Sequence, residues 1–118
     1  MVVIANLSYS LRIRLKKGEP FFGPGVMQLL QHVADTGSLQ TAAAQIKMSY
    51  SKAWKIIKEA EKGLGFPLMT RRVGGVGGGS SELTEQGKDF MQRYSCFERE
   101  VYKTADDLFN KHFGDVLR

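Results

Sequence analysis

The sequence predicts a mainly α fold with a small β component, and three observations carry that prediction. Apolar residues recur at helical spacing in four separate stretches. Two of these, over 38–62, are short and joined by only a few residues. Before the last helical stretch lies Gly74-Gly75-Val76-Gly77-Gly78-Gly79, a breaker run between two segments able to pair as a β-hairpin. A three-helix core followed by a hairpin and a long terminal helix is the layout of a winged helix-turn-helix. The 118 residues are read as one such domain.

The elements follow in order. Leu7, Tyr9, Leu11, Ile13 and Leu15 alternate with Ser8, Ser10, Arg12, Arg14 and Lys16. That period of two predicts a half-buried N-terminal strand over 5–16, apolar on one face and basic on the other. Residues 18–25, GEPFFGPG, read as a breaker segment whose Pro24-Gly25 opens a helix. Val26, Leu29, Leu30 and Val33 form the stripe of that first helix, over 24–36. Ser38 then caps a second helix along which Leu39, Ala42, Ala43 and Ile46 face inward, the small alanines allowing a neighbouring helix to cross closely.

Lys47, Met48 and Ser49 interrupt the pattern, and Ser49 can accept from the orphan amides that open the third helix. On it Tyr50, Ala53, Ile57 and Ala60 are placed toward the core, with Ile56 widening the stripe, while Ser51, Lys52, Lys55, Glu59 and Lys62 are left to solvent. This split suits a helix that packs on its partner with one side and enters a DNA groove with the other. Gly63, Gly65 and Pro67 end it. A hairpin wing is expected over 68–83, with the glycine run at its tip. Thr84 caps a last helix over 84–112, and Glu85 lies near the positive end of its dipole.

Charge points to a polyanionic partner. Lys and Arg number 17 against 12 Asp and Glu, and the surplus is uneven: residues 49–72 hold six basic and two acidic residues, residues 73–118 six basic and eight acidic. The positive charge peaks on the third helix and the segment after it. Cys96 is the only cysteine, which excludes an internal disulfide framework and a cysteine-cluster metal site, and it reads as a packed thiol. With no signal-peptide layout and no apolar run of bilayer length, a cytoplasmic location without membrane partner is expected.

Enzymatic chemistry is not expected. The glycine run is followed by Ser80-Ser81-Glu82 and lacks the Gly-Lys-Ser/Thr ending of a nucleotide-binding loop. His32 and His112 stand apart from any cluster of ligand residues. No paired carboxylates or nucleophile triad stand out, and no cofactor or metal is assigned. Other readings of the helix pair are a hairpin inside an unrelated fold, a winged-helix module that binds a protein instead of DNA, and a direct oxyanion binder.

Taken in order, these segments resemble the DNA-binding domain of molybdate-dependent ModE-type regulators, itself similar to the winged helix of LysR-type regulators. The resemblance rests on Phe22-Gly23-Pro24-Gly25, Thr36-Gly37-Ser38-Leu39 with Ala42-Ala43-Ala44, Met48-Ser49-Tyr50 with Ala53-Trp54, the glycine run, and Leu83-Thr84 with Gly87. It spans residues 7 to 110. Where the family usually holds a glycine in the turn between the two helices, this chain has Lys47; where its wing tip tends to be basic, this chain has Val76. The resemblance implies a homodimeric, sequence-specific double-stranded DNA-binding transcriptional regulator of bacteria. Because the chain ends near the close of the last helix, an oxyanion-sensing region of its own is not expected, and no effector is assigned.

The expected DNA contacts are Ser49, Tyr50, Ser51, Lys52 and Lys55 on the third helix, and Arg71, Arg72, Gly75 and Gly77 on the wing. Trp54 is expected to pack beneath the wing. The last helix is too apolar for one small domain to cover, so Phe90, Tyr94, Phe97, Val101, Tyr102 and Leu108 are expected at a two-fold dimer interface.

Overall fold

The computed structural model describes residues 2–72 and 80–117, with Arg72 described only as backbone. Its elements run β1 (Leu15–Lys17), β2 (Glu19–Phe22), α1 (Pro24–Thr36), α2 (Leu39–Gln45), α3 (Tyr50–Leu64), β3 (Met69–Arg72), β4 (Ser80–Leu83) and α4 (Glu85–Phe113), closed by a 3-10 turn over Gly114–Val116. The molecule is elongated, 66 × 27 × 22 Å, because a 29-residue α4 projects beyond the packed core.

The helix ends follow from their caps. Ser38 Oγ accepts from the Thr41 amide at 3.1 Å and Ser49 Oγ from the Lys52 amide at 3.2 Å, each satisfying an orphan donor. Gly65 ends α3 at φ 84, a left-handed conformation that a side chain would oppose. Lys47, in the turn between α2 and α3, takes φ 57, so the position where the family favours glycine is left-handed here too, with a lysine bearing the strain.

Phe22, Leu29, Leu30, Val33, Leu39 and Ile57 form the centre of the core. Ala42 and Ala43 of α2 and Ala53 and Ala60 of α3 are buried in the core, where small side chains let helices approach closely. Phe22 meets Phe90 and Tyr94 edge-on, with ring centroids 4.9 and 5.1 Å apart, and so joins the first turns of α4 to the core.

The N-terminal segment corrects one expectation. Only Leu15–Lys17 forms a ladder, pairing antiparallel with β2, which lies within the segment read as a breaker. Residues 7–14 are not laddered; they run as a strap along α4. The Tyr94 hydroxyl donates to the Ile13 carbonyl at 2.7 Å, and the Tyr102 hydroxyl to the Leu11 carbonyl at 3.1 Å. Alternation reports an extended chain with one covered face, and a helix covers that face as well as a sheet does.

The wing base is antiparallel, with Met69 opposite Leu83 and Arg72 opposite Ser80. Gly75 and Gly77, expected to touch DNA at the wing tip, lie outside the described residues, as does the side chain of Arg72. Among the described residues no helix is long and apolar enough to cross a membrane.

Candidate nucleic-acid interface

The site is built by α3 and by what holds the wing beside it. The Ser81 amide donates to the Gly37 carbonyl at 2.8 Å, joining β4 to the corner between α1 and α2. At the other end of the wing, the Leu68 amide donates to Glu61 Oε2 at 2.8 Å. Thr84 Oγ1 donates to the Pro67 carbonyl at 2.7 Å while accepting from the Gly87 amide at 2.9 Å. Strands β3 and β4 are thereby fixed against α1, α3 and α4 together.

Along α3, Ala53, Ile57 and Ala60 are buried, and Ser49, Ser51, Lys52, Lys55, Glu59 and Lys62 are exposed. Lys58 pairs with Glu61 at 3.5 Å. Lys52 and Lys55 enter no ion pair among the described residues. The opening turns of α3 therefore present two cations whose charge is not answered locally.

Tyr50 departs from the core stripe on which it was placed: it is 38% exposed and lies on the wing side of α3. Its hydroxyl accepts from Arg71 Nη2. The Arg71 guanidinium lies 4.4 Å from the centre of the Trp54 ring and 5.5 Å from that of Tyr50. Half-buried Trp54 packs against the core and also carries the Lys58 ammonium at 4.4 Å. Sequence reasoning missed that Tyr50, Trp54 and Lys58 form one stack at spacings of four. The signal was the i, i+4 rule applied to the flank of α3 as well as to its buried face.

The six residues expected at a dimer interface separate into two groups. Tyr94 is buried inside the chain at 2% exposure, and Phe90 is half-buried between Phe22 and Phe66. Tyr102 is half-buried under the strap. Tyr94 is corrected, since the chain's own β2 and N-terminal segment cover it; Phe90 and Tyr102 are covered only in part. Phe97 and Leu108 remain 50% and 49% exposed and flank half-buried Val101 in a shallow, mainly apolar groove. Cys96 is exposed, with Arg99 Nη2 3.5 Å from its sulfur, which corrects the expectation of a packed thiol. His32 Nδ1 meets Gln45 Oε1 at 2.6 Å, and His112 is exposed.

The tyrosines that hold the strap are shifted as well. Burial, reinforced by Glu98, pushes the Tyr94 hydroxyl up to about 12. Tyr9, which donates to Asp106, is pushed up to about 12 chiefly by that hydrogen bond.

Comparison with known proteins agrees with this geometry. The transcriptional regulator ModE of Haemophilus influenzae is 33% identical over 94 residues, which cover 80% of this chain and 36% of that protein. The DNA-binding transcriptional dual regulator ModE of Escherichia coli K12 is 34% identical over 104 residues, 88% of this chain and 38% of that one. The chain thus spans little more than a third of the length of these relatives. The crystal structure of a CbnR_DBD–DNA complex superposes with a TM-score of 0.57 at 19% identity, covering 75% of this chain and 95% of that one, a likeness of fold. The profile of the bacterial regulatory helix-turn-helix proteins of the lysR family matches residues 25–88, from the first turn of α1 through both helices of the helix-turn-helix to the start of α4. With more than half of its length under that profile, the chain belongs to the lysR family of bacterial regulatory helix-turn-helix proteins.

Proposed function

We propose that this chain is a sequence-specific double-stranded DNA-binding transcriptional regulator of ModE type, acting in the bacterial cytoplasm as a homodimer. One observation carries the reading: Lys52 and Lys55 stand exposed on the opening turns of α3, beside Ser49 and Ser51 and outside every ion pair among the described residues. An α-helix fits the major groove, about 12 Å wide, and its first turns are the part that meets base edges. Ser51 and Lys52 are assigned to base edges, Lys55 and Arg71 to flanking phosphates, and Ser49 to the support of that turn.

The dimer is assigned to α4. Phe97, Val101 and Leu108 recur at spacings of four and seven and line one open groove. Self-pairing of this face would remove the remaining exposed half of these apolar side chains from water, at a stabilisation of about 1 kcal/mol each. It would place two α3 helices on half-sites related by a dyad.

The test is fluorescence anisotropy with duplexes selected by the protein from a random pool. The selected sites should be dyad-symmetric, and log affinity should fall linearly with log salt. If each subunit neutralises two phosphates, the slope is about −3 to −4, at about 0.9 per phosphate. A folded protein that shows no affinity for duplex at low salt would overturn the proposal.

A further inference from the structure

We infer that Arg71 is aimed by Tyr50 and Trp54 into a polar cleft that takes one backbone phosphate, so that Tyr50 is a positioning residue acting through Arg71. This deepens the proposed function and rests on it.

The cleft, about 60 Å³, lies where the start of α2, the start of α3 and the wing base converge. It is lined by Ser38, Gln40, Tyr50, Arg71 and Ser80, with buried Ser81 and Leu39 behind them. Among the described residues Arg71 is the one cation of this lining, and no carboxylate belongs to it. A cleft of this size has room for phosphate oxygens in place of water.

Two features fix the cleft. The Ser81-to-Gly37 hydrogen bond holds its β4 side at the α1–α2 corner. Its cation is held by two contacts that suit a guanidinium: the planar group lies over the Trp54 ring and gives one N–H to the Tyr50 hydroxyl, leaving its other N–H donors to bond a phosphate. A lysine would keep the charge and lose both the stack and the fork. A single phosphate here would touch the wing and the helix-turn-helix together.

The experiment measures binding of a labelled duplex of fixed sequence across a salt series for the wild type and four variants: Arg71→Ala, Arg71→Lys, Tyr50→Phe and the Tyr50→Phe/Arg71→Ala double. Thermal melts establish that each is folded. Arg71→Ala should weaken binding about tenfold and flatten the salt slope by about 0.9 per subunit. Arg71→Lys should keep the slope and still lose affinity. Tyr50→Phe should cost about threefold in the wild type and nothing once Arg71 is alanine. An unchanged slope in Arg71→Ala, or an equal Tyr50→Phe loss in both backgrounds, overturns the inference and leaves duplex binding standing. Failure of the wild type to bind duplex removes the proposed function, and this inference with it.

Discussion

Helices α3 and α4 are both amphipathic and both rich in lysine and arginine, yet they dispose of their charge in opposite ways. On α4, Lys88 pairs with Glu85 at 3.3 Å, Arg93 with Asp89 at 2.8 Å and Lys103 with Asp107 at 3.5 Å, all within three or four residues. Each such pair stabilises a helix by a few tenths of a kcal/mol and cancels its own field. On α3 the one ion pair, Lys58 with Glu61, falls toward the C-terminal end, and the opening turns keep Lys52 and Lys55 outside any pair among the described residues. Arg99 and Lys111 of α4 also stand outside these pairs, but α4 carries six acidic residues against five Lys and Arg, whereas α3 carries two against four. The apolar faces differ in the same sense. The buried stripe of α3 is shared among α1, α2 and β2, whereas α4 keeps an open groove around Phe97 and Leu108 beside the part that β2 and the strap cover.

Four changes break or sharpen this contrast, from the largest expected effect to the smallest. Replacing Phe97 and Leu108 together by glutamate should weaken self-association more than a hundredfold in analytical ultracentrifugation, with the melting temperature of the monomer little changed, because both side chains are already half exposed. A dimer that survives this double change would move the subunit contact elsewhere. Gly87→Ala attacks the root of α4. A methyl group there would lie 2.5 Å from the Leu68 backbone carbonyl, and backbone cannot yield as a side chain tip can. The expected loss is about 1–3 kcal/mol in urea denaturation, larger than the gain of up to about 1 kcal/mol from replacing a helical glycine.

Tyr94→Phe tests how the strap is held. The folded-state hydroxyl is pushed up to about 12 whereas an unfolded tyrosine ionises near its ordinary value of about 10. The raised value favours the neutral form in the fold. Its contribution is therefore complete below pH 10 and is lost as pH rises from about 10 toward 12. The phenylalanine variant should lose about 1 kcal/mol at neutral pH with the Ile13 hydrogen bond, and show a shallower decline above pH 10 in pH-dependent denaturation. An identical alkaline decline in both proteins would assign it to other groups. Lys103→Ala, which breaks an exposed pair on α4, should change stability by less than about 0.5 kcal/mol and leave the slope of duplex binding against salt untouched.

Most of the helical architecture was legible in the sequence because it is written in local chemistry. Ser38, Ser49 and Thr84 sit at the caps their hydroxyls predict, and Ala42, Ala43, Ala53 and Ala60 are buried as the helical period predicts. What could not be read are long-range substitutions of one partner for another. The alternation of residues 7–15 is genuine, but nothing local says that tyrosines 94 and 102, some 80 to 90 positions away, supply hydrogen bonds in place of a strand. Tyr50 followed the core period of α3 and was drawn outward by Arg71, a residue of the wing. Tyr94 lies on the same apolar stripe as Phe97 and Val101, and only the fold reveals that β2 and the strap already cover it. Lys52 and Lys55 were legible as exposed; that they stay unpaired among the described residues required the positions of Glu59 and Glu61 to be known.

The most direct test of the central claim is the salt dependence of duplex binding by the Lys52→Ala/Lys55→Ala double variant beside the wild type. A dimer presents four of these lysines. Their removal should lower affinity at low salt by at least a hundredfold and flatten the slope by about 2, at about 0.9 for each of the two phosphates assigned to Lys55 in the dimer, while the melting temperature stays within a few degrees. Wild-type affinity and an unchanged slope in a folded double variant would contradict the assignment of α3 to the groove.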